Sequence, residues 1–435
     1  MKALLKRTKG SALDVVIDHG APLNTITLLL PHTRQIRHLI FSQNYWTEIS
    51  TYSQVLSGPL PLLRTLTIQI DESGGLYVRP NTPDAPLPLL FSGAVNLETF
   101  VFEPESAGSL DPFVFPNLTT FKLSTPPLKY FKASDLLDFL DASPMLRTVD
   151  VRVRGGMYPE GVTQELVVLP NVETFSLNVN GGDWQVYKSA MRISCPRAKY
   201  TSLEQDIFDH VMTDSTEVFP NSNSCKAIVR QYSTSPVEEV TLEINDSDQS
   251  MTMMTYSLTF KSTDAAVIRM GFELGESGQI EEELYLHHGE MNLEIFTRAC
   301  QTIQDLPQLA SVRRLHIKDW TEYFGAKYAI HMVGVLQKLF GSLGPLDELS
   351  IHGHDLRVFL SEYPVREFPL VKELRILEVS MFGEERYVDG IVKLAKSQHE
   401  LERPFERVTV RAWGIPVAMA ERLGQWVSVV DCSRL

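Results

Sequence analysis

The sequence is short of the features by which most chemistries are recognised. Its 435 residues include four cysteines, Cys195, Cys225, Cys300 and Cys432, and no C-x-x-C pair. Zinc knuckles and disulfide frameworks need close or paired cysteines, so neither is indicated and a reducing compartment is expected. Long apolar runs are missing too. "LNTITLLL" is too short and too mixed to cross a bilayer, and "MKALLKRTKG" lacks the apolar core of a signal peptide. The expected location is cytosol or nucleus, where the N-x-[ST] matches at Asn117 and Asn245 have no meaning for glycosylation. Positive charge is scarce: 40 basic side chains face 54 acidic ones, a net −14, and no basic cluster exceeds "KRTK". Nucleic acids and anionic membranes require concentrated Lys and Arg, so neither is expected as a partner.

Catalytic signatures are absent as well. The chain has no G-x-S-x-G, G-x-x-x-x-G-K-[ST], H-E-x-x-H or G-x-G-x-x-G. "LHHGE" groups His287, His288 and Glu290, and "IHGHD" groups His352, His354 and Asp355. Either could be imagined around a metal, but each supplies too few ligands without a distant third. "NDSDQS" from Asn245 lacks the turn glycine and the bidentate Glu of a calcium loop. No catalytic, metal or cofactor residue is therefore assigned, and the expectation is a protein that is not an enzyme.

What is present is a folded composition, 43% hydrophobic and 22% charged, and a repeat. In "LLDFLDASPMLRTVDVRV" the apolar residues Leu136, Leu137, Phe139 and Leu140 lie on one side of a helix. After Ser143-Pro144, Leu146, Val149, Val151 and Val153 fall into the spacing and alternation of a strand. The second half is a template: apolar, two polar, apolar, one variable, apolar. It recurs as "IRHLIF", "LRTLTI", "LETFVF", "LTTFKL", "LRTVDV" and "VETFSL", then as "VEEVTL", "VRRLHI", "LDELSI", "VKELRI" and "FERVTV". The central apolar residues stand at 39, 66, 100, 121, 149 and 175, then at 240, 315, 349, 374 and 408. This is the L-x-x-L-x-L core of a leucine-rich repeat at irregular spacing. Each unit offers a strand and a return segment that covers it, and only stacking buries both. Proline before the strand stops the helix and biases the chain toward extension, as in "SGPLPLLRTL", "VFPNLTTF", "VLPNVETF" and "EFPLVKEL".

The asparagine that regular repeats carry two residues past the strand core is present only at Asn44, Asn180 and Asn245, with Asp71 as a near substitute. An uneven horseshoe is predicted. "AKYTSL" from Ala198 reads as a degraded unit. "MTYSLTF", "AAVIRMGF" and "EELYLHH" read as a β-meander. The expected fold is α/β, an irregular leucine-rich-repeat-like solenoid. Its parts are an N-terminal half over 1–230, a β-rich meander over 231–290 and a C-terminal half over 291–435. "MNLEIFTRACQTI", "AKYAIHMVGVLQKLF" and "YVDGIVKLAKSQ" are predicted return helices, and "AMAERLGQWVSVV" a terminal cap.

The succession "LKRTKGSALDVVID", "PHTRQIRHLIFS", "LPLLRTLTI", "FPNLTTFKL" and "LLDFLDASPMLRTVDV" resembles the long C-terminal region of F-box-like proteins of mushroom-forming fungi. That resemblance implies a substrate-recognition region of a cullin-RING ubiquitin ligase, in which an N-terminal F-box docks on the Skp adaptor. No "LPxEI"-type segment with amphipathic helices precedes "LLKRTKG", so binding of the Skp adaptor is not expected. The function expected is a non-catalytic protein-interaction module for an unknown protein substrate on the concave face. The alternatives are an enzyme with a site in the β-rich insert, or a scaffold unrelated to ubiquitination. The polar slots of the template would face the partner, with Arg64, Arg147, Arg313, Arg314 and Lys372 as the contacts.

Overall fold

All eleven hexapeptides form strands. The computed structural model describes residues 10–18, 28–43, 58–70, 91, 93–104, 110, 113–125, 131–153, 157–158, 166–180, 189–208, 222–232, 235–246, 253–275, 293, 296–306, 309–319, 326–352, 368–380, 385–413 and 418–434. The chain forms two compact units, Met1–Asp206 and Ile207–Leu435; the sequence places its division near residue 230.

In the first unit, the strands run in parallel and in chain order: β1 (Leu13–Ile17), β2 (Ile36–Gln43), β3 (Thr65–Ile70), β4 (Thr99–Pro104), β5 (Thr120–Thr125), β6 (Thr148–Val153), β7 (Thr174–Asn180) and β8 (Tyr200–Phe208). The template's central residues Leu39, Leu66, Phe100, Phe121, Val149 and Phe175 pair in one continuous register, and none is more than 1% exposed. The degraded unit keeps the register, with Thr201 opposite Phe175 and Leu203 opposite Leu177. Alternation does the rest: β-branched and aromatic residues suit a pleated, half-buried strand, and every second one points into the core. Phe100 and Phe121 stack at 5.9 Å, and Phe121 meets Phe139 of helix α1 (Ala133–Asp141) at 4.5 Å. That helix buries Leu136, Leu137, Phe139 and Leu140, as its spacing predicts.

A tight turn precedes each of β3 to β8, and its chemistry repeats. The backbone N–H of the template's first residue donates to the carbonyl three residues earlier in Leu63→Leu60, Leu97→Ala94, Leu118→Phe115, Leu146→Ser143, Val172→Leu169 and Ala198→Cys195, at 3.0–3.4 Å. The accepting residue is buried in all six. Proline follows it at Pro61, Pro116, Pro144, Pro170 and Pro196, where its fixed φ suits the second position of a β-turn. Proline thus builds the turn, and at Pro144 it stands just after helix α1.

In the second unit, β9 (Val237–Asp246) lies between β10 (Met253–Ser262), antiparallel to it, and β12 (Arg314–Asp319), parallel to it. β10 pairs antiparallel with β11 (Val267–Gly275). From β12 the order continues in parallel through β13 (Leu346–His352), β14 (Val371–Ser380), β15 (Arg407–Trp413) and β16 (Val429–Arg434). Val240, Leu315, Leu349, Leu374 and Val408 form the second core ladder. "MTYSLTF" and "AAVIRMGF" fall in the antiparallel hairpin, while "EELYLHH" lies outside the described residues. The hairpin turn is held by Asp264, which accepts from Ser235 at 2.9 Å, from Ser262 and from the Ala266 N–H at 3.2 Å. Helices cover the apolar face at α2 (Ser222–Tyr232), at 296–304, at α3 (Ala326–Ser342), at α4 (Glu385–Glu400) and at the short α5 (Met419–Leu423). Leu336, Leu339 and Phe340 of α3 are buried, as the three- and four-residue spacing requires.

Candidate interaction surface

The face of each sheet opposite the core is polar, and register turns its side chains into rows. In the first unit, the template's second polar slot gives His38, Thr65, Thr99, Thr120, Thr148 and Thr174 side by side. Threonine suits this position because its branched Cβ favours the strand and its hydroxyl tolerates the open face. The first slot lies at the N-terminal edge of the strands, where Arg64 pairs with Glu98, and Lys199 with Glu173 at 2.9 Å. Lys199 holds the Glu173 carboxyl below the usual range.

The corresponding face of the second unit is charged. Glu239, Arg314, Glu348, Glu373 and Arg407 stand in one row, with Thr241, His316, Ser350, Arg375 and Thr409 in the next. Arg314 reaches Glu238 and Glu239, both at 3.1 Å, and Arg375 reaches Glu373 at 3.0 Å and Glu348 at 3.2 Å. At the centre His316 has only 18% of its side chain exposed, with Glu239 at 3.8 Å from one ring nitrogen and Glu348 at 3.7 Å from the other. These gaps are too long for direct hydrogen bonds. Burial pushes the His316 imidazole down against the pull of Glu239, and pushes the Glu348 carboxyl up against the pull of Arg375. His352, bonded to Ser350 at 3.1 Å, is pushed down to about 4, chiefly by burial and then by Lys318. Like the other imidazole it is neutral near pH 7.

The five cations expected as contacts divide. Arg314 is committed to Glu238 and Glu239, Lys372 to Asp347 at 2.6 Å, and Arg64 to Glu98. Arg147 and Arg313 are exposed, and Arg313 donates to the Pro345 carbonyl at 3.3 Å. Arg64, Arg147 and Arg313 lie one residue before their strands begin and Lys372 is the second residue of β14, all at the strand edge, whereas Arg314 stands in the polar row. The two half-buried residues at the heart of the charged face, His316 and Arg375, were not among the expected contacts. Both occupy the template's variable position, which alternation places on the polar side. His287, His288, Glu290, His354 and Asp355 lie outside the described residues. Among the described residues no three metal-ligating side chains come together. A shallow groove of about 360 Å³ is lined by Leu293 and Thr297 together with His331, Gly334, Val335 and Lys338 of α3.

A second polar pattern was also missed. Asn96 donates to the Pro61 carbonyl at 2.9 Å, Asn117 to Val95 at 2.7 Å and Asn171 to Pro144 at 3.1 Å. In each case the asparagine immediately before the template caps a carbonyl of the preceding turn. Ser311 holds the matching place in the second unit, but donates to the carbonyl of Val237, the first residue of β9, at 2.7 Å. The "PNL", "PNV" and "VNL" triplets are its sequence signal. Compared with known proteins, the chain matches no family model and no curated protein. No helix among the described residues is long and apolar enough to cross a membrane.

Proposed function

We propose that this chain is an irregular leucine-rich-repeat-like solenoid that serves as a non-catalytic protein-interaction module. The role would be that of the substrate-recognition region in F-box proteins of cullin-RING ligases. The observation that supports it most is the pair of polar strand faces, in which adjacent repeats set side chains in register with the core behind them. Stacked repeats of this kind present extended surfaces for binding. The charged face of the second unit is largely neutralised by its own ion pairs, so it favours a partner of matching mixed charge over a polyanion. The expected partner is a protein.

The test uses Arg147 and Arg313, since reversing Arg314 would break internal pairs and confuse folding with binding. Proteins captured by the wild-type chain are identified, purified and measured against a variant with Arg147→Glu and Arg313→Glu. The reading requires a captured protein that binds directly, weakens at least tenfold in the variant, and leaves the circular dichroism melt unchanged. Capture that is equal in both would remove these residues from the contact.

A further inference from the structure

The turns that lead into β3 to β7, with the residues just before them, form an exposed apolar band. Leu62 is 45% exposed, Val95 52%, Val114 54%, Met145 47% and Val168 51%. Pro116, Pro144 and Pro170 are exposed between them. The turn carbonyls of Pro61, Val95 and Pro144 are already capped by the asparagines described above. Polar groups are thus satisfied inward while apolar side chains point outward, which on a soluble protein marks a docking surface. The neighbouring strand edge is basic in an otherwise acidic chain. Glu98 and Glu173 are held by Arg64 and Lys199, while Arg37, Arg147 and Arg197 are exposed.

Spacing identifies the occupant. The band runs along the starts of β3 to β7, five neighbouring strands, and four steps of about 4.8 Å make about 19 Å. An α-helix of about 13 residues has that length, and its turns recur every 5.4 Å, close to the repeat of the band. We propose that this edge receives an amphipathic α-helix of a partner protein, apolar on the buried face and acidic on the flank beside Arg37, Arg147 and Arg197. The proposal rests on the reading of the chain as an interaction module and names one docking element of it.

The probe is a displayed library of helix-forming peptides about 13 residues long, selected on the full chain. Expected are sequences with apolar residues at i, i+3 or i+4, and i+7, and with Asp or Glu on one flank. Their binding should weaken at least tenfold in a Val95→Glu, Met145→Glu variant, and Arg147→Glu alone should weaken the acidic peptides more than their Gln analogues. Both substituted apolar residues are exposed, and a melt confirms folding; if it does not, Arg147→Glu decides. Peptides that ignore these changes but fail on a Thr120→Glu, Lys122→Glu variant of the strand face would overturn the helix site while supporting the interaction module. Enrichment of proline-rich or extended sequences, or none above a selection without protein, would also overturn it, and the capture experiment above would then judge the module independently.

Discussion

At the scale of the residue, the half-buried histidines of β12 and β13 make the second unit sensitive to acid. His352 titrates near 6.5 when unfolded and at about 4 when folded. The unfolded chain therefore binds the proton more readily, and the stabilisation present above pH 6.5 is lost as pH falls toward 4. His316 acts in the same direction. Glu348, raised on folding, acts oppositely, because its ionised form is the disfavoured one in the fold. His352→Gln should therefore lose less Tm than wild type between pH 7 and pH 5; an equal loss would place the acid sensitivity elsewhere. Ser143 gives a second prediction. It fills the buried turn position taken elsewhere by Leu60, Phe115, Leu169 and Cys195, and its hydroxyl finds no partner among the described residues. An unsatisfied buried hydroxyl costs about 1–3 kcal/mol, so Ser143→Cys should raise Tm in a thermal melt. Histidine and arginine at a variable slot can be seen in the sequence. That His316 lies between Glu239 and Glu348 cannot, because that follows from which strand neighbours which across gaps of uneven length.

At the scale of the element, strands were legible because a period of two is local: six residues suffice to show which side is apolar. The turns were only half legible. Proline announced that a helix stops, but the asparagine bonds run between residues 22 to 35 apart and depend on stacking. Asn117→Ala should destabilise the first unit by about 1 kcal/mol, the usual value of one such hydrogen bond, in chemical denaturation; no change would make the amide dispensable. Phe100→Ala should cost about 3–5 kcal/mol, since the ring packs against Phe102, Phe113, Phe115 and Phe121 and leaves a cavity. Gly93 marks where two turns touch: a Cβ there would stand 2.5 Å from the Gly58 carbonyl oxygen and 2.9 Å from the Pro59 Cα. Backbone cannot yield as a side-chain tip does, so Gly93→Ala should destabilise by about 1–3 kcal/mol.

At the scale of the whole molecule, each strand packs chiefly against its neighbours in the sheet, and the proposed repeat array would draw most of its stability from those nearest-neighbour contacts. Hydrogen exchange on Phe100→Ala should therefore quicken in β3, β4 and β5 and leave β12 to β15 at wild-type rates. Equal acceleration in both units would mean that the 435 residues unfold as one body. The partner is not legible at this scale, because the sequence shows which positions face outward but carries no motif that names what they meet. The account stands or falls on direct binding. Isothermal titration of a purified captured protein into the full chain should show saturable binding at micromolar Kd or tighter, about −8 kcal/mol, weakened at least tenfold by Arg147→Glu with Arg313→Glu. Absence of heat for every captured protein would contradict the assignment of this chain as an interaction module.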